Sequence, residues 1–220
     1  MRILKALAPI IKPLILKYLS QTRKYTYKGI KIVVYPGVFH PGFFFSTHFL
    51  LRFLSTLNLK NAQVLELGAG SGLISIYCHL KKESIVTASD ISAVSVSNIK
   101  ENAAMNKASI SVIQSDLFDN IHSDFDTIII NPPFYPKDPS SESEYAWYCG
   151  KDFEYFTKLF SQLTSKAIRT LSIYMILSED CLIDRIEAIA NQNSFKMDLI
   201  LEKKIWGERN YIYKVARSGL

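Results

Sequence analysis

Asn131 ends the apolar run Ile128, Ile129, Ile130 and is followed by Pro132, Pro133, Phe134, Tyr135 and Pro136. A plain turn needs neither this rigidity nor two aromatic rings. A residue that precedes proline is driven to extended geometry, so the pair of prolines stiffens the chain from Asn131 onward. A side-chain amide is thereby held at a strand end before any ligand arrives. Its oxygen can accept one N–H of an incoming NH2 group, and the carbonyl of Pro132 can accept the other. The ring of Phe134, extended by Tyr135, offers a flat apolar face to a planar group. A proline-rich loop that merely caps a strand would look the same in isolation.

Three further stretches argue for a ligand. "LELGAGSG" (65–72) places Gly68, Ala69, Gly70 and Gly72 between an apolar strand and a helix, where small residues let the backbone turn sharply and approach a ligand closely. The spacing is G-x-G-x-G, and Leu73 stands where a dinucleotide fingerprint would carry its third glycine. Glu66 precedes the loop. Asp90, followed by Ile91, ends the next strand and suits the two hydroxyls of a ribose. Asp116, followed by Leu117, ends the third strand and suits an exocyclic amino group of adenine. Each acid alone reads equally well as a strand-end or cap residue. No Lys or Arg lies between Gln63 and Leu80, and there is no phosphate-binding G-x-x-x-x-G-K motif. The loop therefore suits a nucleoside without phosphates.

These residues need strand ends to sit on, and the pattern supplies them. Residues 3–20 read as a helix interrupted by Pro9 and Pro13, residues 25–37 as a hairpin about Lys28-Gly29, and 43–57 as a helix with Phe45, Phe49, Phe53 and Leu57 on one face. A strand over 62–68 then opens a regular alternation. Helix Leu73–Leu80, strand 84–90, helix Ala93–Met105, and strands 109–116 and 125–131 follow. After a polar loop come helix Phe153–Ile168, strand 171–178, helix Asp180–Gln192, and two closing strands over 195–204 and 209–217. The chain is predicted to be an α/β protein: a seven-stranded, mostly parallel sheet with helices on both faces and an antiparallel pair at one edge. It divides into a basic helix–hairpin–helix extension (1–60) and the sheet domain (61–220).

With 48% hydrophobic residues and no apolar run long enough to span a bilayer, the chain reads as globular, without membrane insertion. Cys78, Cys149 and Cys181 lack any C-x-x-C spacing, and the four histidines lack ligand spacing, so no metal site is expected and the thiols read as reduced in a cytoplasmic protein. Lys5, Lys12, Lys17 and the two prolines interrupt the apolar N-terminus, which does not read as a signal peptide. Residues 1–60 carry ten Lys or Arg and no acid, whereas the remainder is net −4. Such a segment attracts polyanions, RNA first, and equally reads as a solubilised surface beside an acidic core.

In its order "VLELGAGSG", "SD" at 89–90, "QSDLF" and "NPPF", the sequence resembles the class I S-adenosylmethionine-dependent methyltransferases, over roughly residues 33–217. Within them it is similar to the subgroup with an Asn-Pro-Pro-aromatic motif, which methylates nitrogen in planar groups. That subgroup includes HemK-like glutamine methyltransferases and adenine- and guanine-N methyltransferases. The resemblance implies a Rossmann-like fold and S-adenosyl-L-methionine as cofactor. It implies cofactor binding by Glu66, Gly68, Ala69, Gly70, Gly72, Asp90, Ile91, Asp116, Leu117, Asn131 and Thr47. It implies catalysis by Asn131, Pro132, Pro133 and Phe134, with Tyr135 and Trp147 toward the acceptor. The nitrogen of an amide or aryl amine is a poor nucleophile because its lone pair is delocalised; two fixed acceptors let it pyramidalise and stabilise the charge that develops.

Two stretches bear on the acceptor. Tyr35, Pro36, Thr47, Phe49, Leu50 and Leu51 align with the segment before the glycine loop in short HemK-like enzymes, with Ser46 where those carry an acid. Trp147, Gly150 and Asp152 align with a later stretch, with Phe153 where those carry glycine. The resemblance favours a glutamine in a protein such as a translation factor. The short enzymes also work with a small partner subunit. The basic segment, interleaved with Tyr25, Tyr27, Tyr35, Phe39 and Phe43, favours an RNA adenine-N6 or guanine-N2 acceptor instead. A cofactor-binding module without catalysis is the third reading, against which the complete Asn-Pro-Pro-Phe stands.

Overall fold

In the central strands, residues alternate between two apolar faces, and each face is covered by its own helices. The computed structural model describes residues 18–43, 45–165, 170–205 and 207–218. The helix expected over 3–20 falls almost wholly outside them. Strands β1 (Arg23–Tyr27) and β2 (Ile30–Val34) form an antiparallel hairpin. Its turn residues Lys28 and Gly29 both have positive φ, 46° and 85°, as a two-residue hairpin turn demands. Helix α1 (Phe45–Thr56) leads to β3 (Gln63–Leu67), α2 (Leu73–Lys82), β4 (Ile85–Asp90), α3 (Ala93–Met105), β5 (Ser111–Gln114) and β6 (Phe125–Ile130). A short 3-10 helix (Glu142–Ala146) precedes α4 (Glu154–Ser165), β7 (Thr170–Ser178), α5 (Ile183–Gln192), β8 (Phe195–Ile205) and β9 (Glu208–Arg217).

The last seven strands form one sheet in the order β5-β4-β3-β6-β7-β9-β8. The first five are parallel, and β9 runs antiparallel to both of its neighbours. Leu65, Leu67, Ile128, Ile130, Ile173 and Met175 face one cluster with Phe156, Phe160 and Ile186 of α4 and α5. Val64, Ile129 and Ile176 face the other, with Leu50 and Leu54 of α1 and Ile74 and Ile76 of α2. Each of these side chains, removed from water, contributes about 1.5–3 kcal/mol. Strand order reverses at β3, because β4 and β5 build outward on one side and β6 joins the other. Such a switch point opens a crevice beyond the strand ends. Leu67 pairs with Ile130, so the next residues along each strand, Gly68 and Asn131, emerge side by side.

The hairpin is not a separate body. Ile30, Ile32 and Val34 share the apolar cluster of α1 and α2. The outer edge of β2 is closed by Asn98 and Asn102 of α3 and by Asn106, which caps that helix. Backbone N–H groups of Lys31, Val33 and Tyr35 donate to the side-chain oxygens of Asn106 (3.1 Å), Asn102 (2.8 Å) and Asn98 (3.1 Å). The amide nitrogens of Asn98 and Asn102 donate to the Val33 carbonyl and that of Asn106 to the Lys31 carbonyl. Four helical residues rise about 6 Å and two strand residues about 6.6 Å, so asparagines at every fourth position keep step with alternate strand residues. Asn102 also donates to the carbonyl of Ser71, at 2.9 Å, inside the glycine loop.

Candidate functional site

The glycine loop is shaped by left-handed backbone at Gly68, Gly70 and Gly72, with φ of 68°, 54° and 77°. Nothing lies within 4 Å of the position a Cβ would take on Gly68, whereas one on Gly72 would meet Ile99 of α3 at 3.0 Å. Gly68 therefore leaves room for a ligand, and Gly72 lets α3 pack closely. Helix α2 begins at this loop without a side-chain cap of its own. Glu66 supplies one from β3: it accepts the backbone N–H of Ser75 at 2.8 Å and the Ser75 hydroxyl. Burial pushes the Glu66 carboxyl up to about 8, opposed in part by the Ser75 contacts.

Asp90 is fixed by backbone. Its Oδ2 accepts from Gly70 N–H at 2.8 Å and its Oδ1 from Ser92 N–H at 3.0 Å. Burial raises its pKa, and these bonds work against the rise. One carboxylate thus joins the end of β4 to the glycine loop and keeps further lone pairs for a ligand. Asp116 lies on the turn after β5, where Leu117 has φ 51°. Lys158 of α4 donates to Asp116 Oδ2 at 2.5 Å and to Asp119 Oδ2 at 2.8 Å. One helical turn on, Gln162 donates to Asp119 Oδ1 at 2.6 Å and accepts the N–H of Phe118 at 3.0 Å.

Beyond Asn131, the chain is stitched to a second loop. The carbonyl of Trp147 accepts the N–H groups of Phe134 (3.2 Å) and Tyr135 (3.0 Å), and Cys149 N–H returns to the Tyr135 carbonyl at 3.0 Å. The rings of Phe134 and Tyr135 lie 4.6 Å apart, and Phe134 packs against the α4–α5 cluster. Trp147 meets Phe39, which follows the hairpin, at 5.3 Å. Between these loops the 3-10 helix is anchored by Glu142, whose Oε1 accepts the N–H of Ala93 at the start of α3. Burial, with Asp180 and Glu208 nearby, raises the pKa of Tyr135. Burial and its neighbours Asp180 and Glu179 raise that of Glu208.

These parts enclose one cavity of about 610 Å³. Thr47, Glu66, Gly68, Ala69, Gly70, Asp90, Ile91, Asp116, Leu117, Asn131, Pro132, Pro133, Phe134, Tyr135 and Trp147 all line it. Of the expected catalytic, cofactor-binding and acceptor-side residues, Gly72 alone does not line it. Among the described lining residues eight are acidic and one, Lys158, is basic. The Asn131 side chain reaches the cavity without a hydrogen bond to another described residue. Among the described residues no cluster of His, Cys, Asp or Glu could hold a metal ion, and no helix is long and apolar enough to cross a membrane. The sequence reading missed Lys158, Tyr155 and the pair Asp180 and Glu208, which only the fold brings to the cavity. It also missed the asparagine ladder, whose N-x-x-x-N-x-x-x-N spacing was visible.

The methyltransferase small domain model matches residues 29–146, more than half of the chain. A provisionally named protein N5-glutamine methyltransferase of Methanocaldococcus jannaschii is 39% identical over 117 residues, 53% of this chain and 56% of that protein. A ribosomal RNA small subunit methyltransferase C of Actinobacillus pleuropneumoniae is 32% identical over 115 residues, 51% of this chain and 35% of that protein. The chain thus spans about half the length, or less, of these relatives. Among solved structures, the Mtq2–Trm112 complex of E. cuniculi, responsible for methylation of the translation termination factor eRF1, superposes with TM-score 0.63 at 21% identity, over 83% of this chain and 99% of that one. The cavity beyond β3 and β6 is therefore found on a chain that belongs to the methyltransferase small domain family.

Proposed function

We propose that this chain is an S-adenosylmethionine-dependent N-methyltransferase whose acceptor is the side-chain amide of a glutamine in a protein. The observation that carries this reading is Asn131, an amide with no protein partner among the described residues, held on a stiff strand end beside the glycine loop. The cavity fits the cofactor. It offers open space over Gly68, carboxylates at two further strand ends and an acid-rich wall, and it lacks a phosphate grip. When bound, S-adenosylmethionine supplies an electrophilic methyl group. Asp90 would hold the ribose hydroxyls, Asp116 and Leu117 the adenine, and Gly68, Ala69, Gly70, Glu66 and Thr47 the remainder.

The Asn131 side-chain oxygen and the Pro132 carbonyl accept the two N–H bonds of the acceptor. The nitrogen can then pyramidalise and present its lone pair. On transfer the methyl–sulfonium bond would break as the N–C bond forms, releasing S-adenosylhomocysteine and moving the positive charge to nitrogen, where the same two acceptors would meet it without reorganising. The proton that the nitrogen sheds would pass to solvent. Phe134 supports the flat face of the amide, and Tyr135 and Trp147 extend that wall. No strongly basic side chain is required.

Two observations favour glutamine. The side of the cavity at Tyr135 carries Asp180 and Glu208, which repel phosphates and tolerate a neutral amide. The Methanocaldococcus relative is named for glutamine. An RNA adenine-N6 or guanine-N2 acceptor is the second reading, favoured by the acid-free first 60 residues with ten Lys or Arg and by the ribosomal RNA methyltransferase relative. A partner subunit belongs to the proposal as well, since the E. cuniculi protein was solved in complex with Trm112.

The test is transfer of labelled methyl from S-adenosylmethionine to total lysate by the purified chain, split by RNase or protease. Label lost to protease alone, located on a glutamine by mass spectrometry, is expected. Label lost to RNase alone selects the second reading. No transfer with or without a co-purified partner, despite cofactor binding, would make the chain a non-catalytic module.

A further inference from the structure

Lys158 is the one basic side chain among the described residues lining an otherwise acidic cavity. Its ammonium contacts Asp116 at 2.5 Å and Asp119 at 2.8 Å, with the partly exposed side chains at 36%, 45% and 48% of full accessibility. Ion pairs this exposed contribute only about 0–1 kcal/mol to stability. The attachment of the Asp116–Phe118–Asp119 turn to α4 is in any case secured one helical turn later. There Gln162 binds both Asp119 and the Phe118 backbone, and Phe118 itself is fully buried. Stability therefore does not explain why a lysine reaches into the cavity to hold Asp116.

We propose that Lys158 is a positioning residue for adenine recognition: by occupying Oδ2 of Asp116 it fixes that carboxylate with Oδ1 turned to the purine 6-position. The inference rests on the reading of this cavity as the S-adenosylmethionine site. A carboxylate oxygen accepts from the 6-amino group of adenine and repels the 6-oxo group of hypoxanthine. A carboxylate free to rotate enforces that choice weakly, because it can swing away from an unsuitable base at little cost. One held by Lys158 must also give up that ion pair to swing away, and so enforces the choice more strongly. Lys158 thus acts through Asp116, and its signature is discrimination between the two bases rather than affinity alone.

The experiment compares binding of S-adenosylhomocysteine and its deaminated analogue S-inosylhomocysteine by calorimetry. Wild-type protein is expected to prefer the adenine compound by about ten- to a hundredfold, the range for a hydrogen bond to a charged group. In Lys158→Met the ratio should fall by about three- to fivefold, and Lys158→Arg should restore most of it, since a guanidinium also donates charge-assisted hydrogen bonds to a carboxylate. Gln162→Met serves as the structural control, lowering the melting temperature while keeping the ratio. A wild-type ratio in Lys158→Met overturns the proposal, as does an equal loss of affinity for both compounds. Asp116→Ala separates this failure from failure of the site reading. If Asp116→Ala leaves the ratio intact, adenine does not lie against Asp116 at all. If it abolishes the ratio while Lys158→Met does not, the site stands and Lys158 is only an ion pair.

Discussion

Asn131, Asp90 and Glu66 are three amide or carboxyl groups in one cavity, and their settings assign them different work. Asn131 keeps its donors and acceptor free of described protein partners, as the proposed grip on a methyl acceptor requires. Asn131→Ala is expected to leave cofactor affinity at the wild-type value and to lower methyl transfer on the order of a hundredfold or more, measured by calorimetry and single-turnover transfer. Asp90 is locked by Gly70 and Ser92. Asp90→Ala should weaken S-adenosylmethionine binding by about ten- to a hundredfold, and unchanged affinity would remove it from the site. Glu66 titrates instead. Burial holds its folded-state pKa at about 8 against an ordinary value of 4.5. The folded protein therefore keeps a proton that the unfolded chain releases between those values. The stabilisation is full below the unfolded value, declines as pH rises through the window and is gone above the folded value. Thermal stability should fall from pH 5 to pH 8.5, and Glu66→Gln should flatten that fall. An unchanged slope in the variant would show that another group titrates.

The elements place these residues by rules that differ in how far they can be read from sequence. Runs such as Ile128–Ile130 and turns such as Lys28-Gly29 carry their own local signals, so the strands, the hairpin and the strand-end positions of Gly68, Asp90 and Asn131 were legible. The Asp116–Lys158 contact spans 42 residues and appears only when α4 packs beside the β5 turn. The ladder was overlooked for another reason. Asparagine in a helix ordinarily reads as a weak, solvent-facing choice, yet Asn98 and Asn102 are fully buried. Asn102→Ala would leave the Val33 N–H without its partner and should destabilise the protein by about 1–3 kcal/mol. Asn106→Ala, at the exposed end, should cost less. Equal values in chemical denaturation would mean that the three positions do not act as graded rungs. Gly72 occupies the expected turn, and the close approach of Ile99 of α3 to it is something that no local pattern reveals.

At the scale of the whole molecule, charge is divided. The charged residues among the first 60 are all basic, and those described as lining the cavity are acidic except Lys158. A polyanion drawn to the first would meet repulsion at the second. Transfer to a protein glutamine should therefore change little between 50 and 200 mM salt, whereas an acceptor gripped through six phosphates would lose about a thousandfold in affinity. A steep salt slope would favour the RNA reading. The ladder has a consequence on this scale too. Alternate residues of β2 look in opposite directions, one set to β1 and the other to α3. Loss of the asparagines would open only the second set, so deuterium uptake along the strand would rise at Lys31, Val33 and Tyr35 and stay slow at Ile30, Ile32 and Val34. Because Asn102 also grips Ser71, exchange of the Val33 amide is expected to slow when the neighbouring loop is occupied, a change that deuterium uptake with and without S-adenosylhomocysteine would reveal.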